Sequence, residues 1–171
     1  MAHYLIQLES LAYVLPYGPN GAGLRPQPAE WTMTGNTGRF DILIAHAGSS
    51  PWAVRLENRL SSLPVGFYWS RTDQETIGLA LARQIHVLVL DNQLPSFGGL
   101  AALRRIRDAG LDVPCLLISA QPDARVLRDA LDLGVFTVLE ESRHADDVPP
   151  TLIRLLRRAY NVDWAVPATF N

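Results

Sequence analysis

Between Asp41 and Tyr160 the chain alternates short apolar runs with segments of helical periodicity, and this alternation constrains its fold more than any other feature. Asp41 to His46 reads as a buried strand. Ser49 or Ser50 then caps a helix opened by Pro51 and running to about Ser62, with Trp52, Leu56, Leu60 and Leu63 at helical spacing. Val65 to Trp69 is a second short strand, and Thr72-Asp73-Gln74-Glu75 is a capping box for a helix reaching Ala82. Ile85 to Leu90, Val113 to Ser119 and Val135 to Leu139 supply three more strands. Between them lie helices over Gly99–Ala109 and Asp123–Leu133, stopped by Gly110 and Gly134, and Pro149 and Pro150 open a last helix. Strands this short and this continuously apolar, each followed by a helix, predict an α/β domain whose parallel sheet is covered on both faces.

Composition narrows the functional classes. A net charge of −2 does not provide the basic excess of a general nucleic-acid or anionic-membrane surface, so neither partner is expected. The single cysteine, Cys115, excludes an intramolecular disulfide and a multi-cysteine metal site, and its setting in Val113-Pro114-Cys115-Leu116-Leu117-Ile118 marks it as a small buried hydrophobe. No apolar run is long enough to span a bilayer, and Glu9 interrupts the N-terminal apolar stretch, which argues against a secretory signal. Cytoplasm is the expected location. All fifteen cationic side chains are arginine, and the chain contains no lysine.

Asp91 is the chemically suggestive residue. The buried run Val87-Leu88-Val89-Leu90 delivers its carboxylate to a strand end, and a turn bearing Pro95, Gly98 and Gly99 follows before the next helix. In an open α/β sheet, ligands and chemistry collect at such strand ends.

This order of elements, with Asp91, Pro95 four residues later and Gly99 eight later, resembles the receiver domain of two-component response regulators over about residues 41–160. Ser119-Ala120 is similar to the Ser/Thr-Ala pair ending that family's fourth strand, and Gly134 to Leu139 is similar to its approach to the fifth. The resemblance implies a flavodoxin-like, doubly wound sheet with strand order 2-1-3-4-5 and Asp91 at the phosphoacceptor position. It also exposes departures. His46 and Ala47 stand where the family has two acids that help hold magnesium, Glu141 stands at its conserved lysine, and Val138 at its aromatic switch position. Phosphoryl transfer to a carboxylate depends on neutralising charge, and Mg²⁺ seeks hard oxygen ligands, so these changes disfavour it twice.

The expectation is therefore a degenerate, pseudo-receiver signalling module without enzymatic turnover, metal or cofactor, acting through a protein partner or by self-association. A phosphorelay receiver that still accepts phosphoryl on Asp91 is the alternative, and a small-ligand-binding flavodoxin-like domain is a second. Asp91 has a plain reading too, as a cap on the Asn92–Gln93 turn, and His46 one as a hydrogen-bond partner of loop backbone or Asp91. His46, Asp91 and Glu141 have the ligand types of a transition-metal site, but Glu141 can turn to solvent, and Ser119 can simply satisfy a loop amide. Receivers of the family commonly pair through the fourth helix, fifth strand and last helix. Here those elements carry Arg125, Arg128, Asp129, Asp132, Arg154, Arg157 and Arg158, a mixed-charge set suited to reciprocal bridges or to plain solvation.

Outside the resemblance, residues 1–40 are expected to be an extension. Leu5, Leu8, Ala12 and Leu15 share one helical face, a Pro/Gly-rich stretch follows, and Met33 is a candidate alternative start. Residues 161–171 form a short tail whose Trp164 and Phe170 either pack on the last helix or serve a partner.

Overall fold

The alternation folds as five parallel strands in the order β2-β1-β3-β4-β5. The computed structural model describes residues 39–48, 51–162 and 164; the predicted N-terminal helix, Met33 and Phe170 lie outside them. The strands are β1 (Phe40–Ala45), β2 (Val65–Ser70), β3 (Val87–Asp91), β4 (Cys115–Ser119) and β5 (Thr137–Glu140). The long helices are α1 (Pro51–Leu60), α2 (Asp73–Ala82), α3 (Gly99–Asp108), α4 (Ala124–Asp132) and α5 (Val148–Tyr160).

Period-two alternation divides the central strands between two cores. Ile42, Ile44, Val87, Val89, Leu116 and Ile118 pack against Trp52, Leu56 and Leu60 of α1 and Leu152, Leu155 and Leu156 of α5. Leu43, Ala45, Leu88, Leu90, Cys115 and Leu117 pack the other way, onto Ala80, Leu103, Ile106 and Ala130 of α2, α3 and α4. Every residue of β3 and β4 is buried. The doubly wound, flavodoxin-like architecture expected from the sequence is thus present.

Local chemistry sets the element ends. Thr72 caps α2 by accepting from the Glu75 amide at 3.1 Å, as the capping box predicts, but the Glu75 carboxylate reaches the Arg71 amide at 2.8 Å rather than closing on Thr72 itself. Asp123 caps α4 through the Val126 amide at 2.8 Å. Two elements are absent from the sequence reading: a helical turn over Glu141–His144 and a 3₁₀ turn over Ala145–Asp147, which join β5 to α5.

Candidate functional site

Strand register alone brings the site together. Ala45 lies opposite Leu90, so the next residue on β1's side, His46, sits beside Asp91 at the end of β3. Asp91 lies opposite Ile118, which puts Ser119 one step beyond on the other flank. Ser119 in turn lies opposite Glu140, so Glu141 follows two strands away from β3. Adjacent strands are about 4.8 Å apart, and two spacings amount to about 10 Å between backbones.

Asp91 has both oxygens engaged. Oδ1 accepts the Gln93 amide at 2.8 Å, closing the Asn92–Gln93 turn, while Oδ2 lies 2.7 Å from Nδ1 of His46. An ionised carboxylate only accepts, so this geometry assigns the proton to Nδ1. The two side chains are 9% and 12% exposed, which shields the pair from bulk water. Trp52, fully buried in the first turn of α1, stands edge-on to the His46 ring with centroids 5.4 Å apart, and its Nε1 has no hydrogen-bond partner. Nε2 of His46 points toward exposed Gly48: a methyl group added to that glycine would lie 3.7 Å away.

The loop behind Asp91 is tightly built. A Cβ on Gly98, whose φ is +86°, would come within 2.7 Å of the Asn92 carbonyl, and one on Gly99 would collide with that of Asp91. Ser96 takes a φ of +80°, an uncommon conformation for a residue with a side chain. Together these hold the turn against the carboxylate, which is why the glycine pair follows at this spacing.

Among the residues singled out from sequence, His46 and Asp91 meet, with Ala47 exposed beside them and Ser119 buried at the end of β4. Glu141 heads the helical turn after β5 and is half-buried; no group of three or more potential metal-ligating side chains assembles among the described residues, so it does not complete a His46–Asp91–Glu141 site. Nor do the residues at the expected magnesium position suit that ion, because Ala47 offers no donor, His46 offers a softer nitrogen, and Asp91 is occupied on both oxygens. Val138 lies half-buried against the second core.

The charged set on the other face divides. Arg125, Arg128, Asp132, Arg154 and Arg158 are exposed, with Arg125 3.9 Å from Asp129, Arg154 donating to Thr151 at 2.8 Å, and Arg158 lying 5.9 Å from the Phe136 ring centre. Arg157 turns away and donates to the carbonyl of Trp164, whose ring packs on Phe40 at 5.3 Å. Leu131, 77% exposed, and Leu127 add an apolar stripe on α4 that the charge-based reading had passed over, although their i, i+4 spacing was visible.

Elsewhere, a cleft of about 460 Å³ opens between Arg107, Pro114, Leu131, Phe136, Arg158 and Tyr160, at the opposite end of the sheet from Asp91. Burial pushes the Cys115 thiol up to about 12, consistent with a packing role. No helix among the described residues is long and apolar enough to cross a membrane.

Comparison with known proteins agrees with this architecture. Residues 66–148 match the response regulator receiver domain family. The transcriptional regulatory protein DltR of Streptococcus agalactiae is 32% identical over 62 residues, which cover 36% of this chain and 28% of DltR, so the chain spans under a third of that relative. The signal receiver domain of an HD domain-containing protein from Pseudomonas fluorescens Pf-5 superposes with a TM-score of 0.63 at 21% identity, covering 72% of this chain and 99% of that one. A CheY-like receiver domain from Methanospirillum hungatei JF-1 gives 0.64 at 12% identity over 72% and 98%. Asp91 at the end of β3, the 2-1-3-4-5 sheet and these matches agree, and the chain carries a response regulator receiver domain, the module of two-component signalling.

Proposed function

We propose that this receiver domain works as a signalling module through protein–protein contact or self-association, without magnesium-dependent phosphorylation of Asp91. The observation that carries this reading is the engagement of both Asp91 oxygens, with the Gln93 amide on one and His46 on the other. Attack on phosphorus through Oδ2 would compete with the His46 contact for that oxygen's lone pairs. The incoming dianion would then meet a carboxylate with no lysine in the chain and no acid pair to hold a metal.

The α4–β5–α5 face suits the contact surface. Leu127 and Leu131 supply an exposed apolar stripe, and Arg125, Arg128, Arg154 and Arg158 frame it with charge that orients a partner or a second copy. Arg157 does not belong to this set, being committed to Trp164.

Acetyl phosphate with Mg²⁺ tests the reading. Intact mass is expected to show no hydroxylamine-sensitive adduct, whereas a stoichiometric one that disappears in Asp91→Asn overturns it. On the same preparations, Arg154→Glu with Leu131→Glu is expected to weaken self-association or partner capture while Asp91→Asn leaves them unchanged; the reverse pattern would move function back to the Asp91 pocket.

A further inference from the structure

We propose that His46 is itself a phosphoryl acceptor, with Asp91 as its positioning residue. The inference rests on the reading of Asp91 as a non-acceptor and adds what the His46–Asp91 pair does instead. Nδ1 of His46 is committed to Asp91 at 2.7 Å, so the proton sits there and the lone pair sits on Nε2. That nitrogen lies on the loop side, next to Gly48, and Ala47 and Gly48 are both exposed. The Trp52 edge restrains the ring from behind. A nucleophilic nitrogen facing the exposed Gly48 and an orienting carboxylate behind it make up the nucleophile–orienter arrangement of covalent catalysis.

The same features that count against Asp91 weigh little against His46. A carboxylate attacking a phosphoryl dianion brings two anions together and needs a metal and a cation to do so. In its neutral form the imidazole brings no charge to the attack, and the ring becomes cationic as the bond forms, when the Asp91 carboxylate behind Nδ1 stabilises it. The donor class is therefore a phosphoryl group on a neutral amine or imidazole leaving group. With phosphoramidate, the Nε2 lone pair forms the new N–P bond, the donor's own P–N bond breaks, and ammonia departs with that bonding pair. The proton on Nδ1 stays on the ring, facing Asp91, and no oxidant, reductant or metal enters the balance.

The test treats the full chain with phosphoramidate in EDTA, follows the adduct by intact mass, and locates it by fragmentation at alkaline pH. A single phosphoryl adduct on His46, labile to acid but stable to alkali, is expected, and it should be lost in His46→Gln. In Asp91→Asn the amide oxygen is claimed by the Gln93 N–H, so the NH₂ faces Nδ1 and drives the proton onto Nε2. Labelling should then slow by at least about tenfold although the chain remains folded by circular dichroism. Gly48→Val, which crowds Nε2 while leaving both Nδ1 and the Asp91 carboxylate in place, should also slow it, and it keeps the idea testable if His46→Gln does not fold. Labelling confined to His3, His86 or His144, or rates in Asp91→Asn and Gly48→Val equal to the parent's, overturns the proposal. A magnesium-dependent, hydroxylamine-sensitive adduct on Asp91 would instead sink the non-acceptor reading, and with it this one.

Discussion

Replacing Asp91 by Asn should lower the stability of this protein, and the sign carries the meaning. In a pocket of three clustered carboxylates, neutralising one relieves mutual repulsion and stabilises the fold. Here no cluster of three or more such side chains forms among the described residues, and Asp91 instead makes a 2.7 Å contact with His46 at a largely shielded site. A hydrogen bond to a charged group is worth about 1.5–3 kcal/mol. Asn keeps the Gln93 cap and permits a neutral contact with the other imidazole tautomer, so the net loss should be about 1–2 kcal/mol. For a domain near this size that corresponds to a fall in Tm of about 4–10 °C. Asp91→Ala, which strands both the Gln93 amide and Nδ1–H, should cost about 3 kcal/mol. Urea and thermal unfolding followed by circular dichroism measure both, and a double-mutant cycle of Asp91→Asn with His46→Gln should give a coupling of about 1 kcal/mol or more. An Asp91→Asn variant as stable as the parent, or more so, would mean that His46 contributes nothing to Asp91 and would remove the physical basis of the pair.

Two further outcomes follow from the same geometry. Substituting His46→Asp together with Ala47→Asp should free Oδ2 of Asp91 and place two new carboxylates beside it, creating Mg²⁺ affinity that calorimetry detects in the variant and not in the parent; a folded double variant with no affinity would show the register argument to be wrong. His86, whose Nδ1 accepts the Asp41 amide at 2.9 Å, is held below its usual 6.5 by burial, with Asp41 opposing the shift. Because the unfolded chain binds that proton more readily, the His86 contribution is complete above pH 6.5 and is lost as pH falls below it. Unfolding free energy should therefore drop more steeply below that pH in the parent than in His86→Gln, and parallel curves would refute it.

Much of this was legible from residues 41–160 because the signals were periodic. Continuous apolar runs gave the strands to within one or two residues, since a strand buried on both faces has little room for polar side chains; the start of β4 at Cys115 rather than Val113 is an end effect of that kind. The pairing of His46 with Asp91 was readable as one of two plain options, and the Asn92–Gln93 cap likewise. Illegible features depend on tertiary packing. Nothing in Arg154, Arg157 and Arg158 as a string says that the middle residue reaches back to Trp164, because a cluster on one helix still fans out by about 100° per residue. The helical turn over Glu141–His144 was missed because four residues carry no periodicity. His86 was invisible as a core group, since its partners Asp41, Phe40 and Tyr160 come from both ends of the domain.

Glu141 at the position of the family's lysine and His46 with Ala47 at the positions of its acid pair look like unrelated departures in the sequence, yet the sheet couples them. Glu141 stands two strands from Asp91, about 10 Å by backbone spacing, so a residue there acts on the carboxylate only through a long side chain or through the ion both would share. A lysine spans much of that gap, whereas a glutamate is shorter and carries the wrong sign. With no cation arriving from β5, the carboxylate at position 91 takes its side-chain hydrogen-bond donor from the other side, where the only adjacent strand is β1. His46, the first residue beyond β1, supplies it at 2.7 Å, so this hydrogen bond reaches Asp91 from the side of the sheet opposite Glu141. A β5 substitution restoring lysine should consequently leave Asp91 with His46 for as long as the histidine is present, since the nearer partner holds the shorter bond. On the proposed non-acceptor reading, a variant designed to phosphorylate Asp91 therefore has to begin at β1.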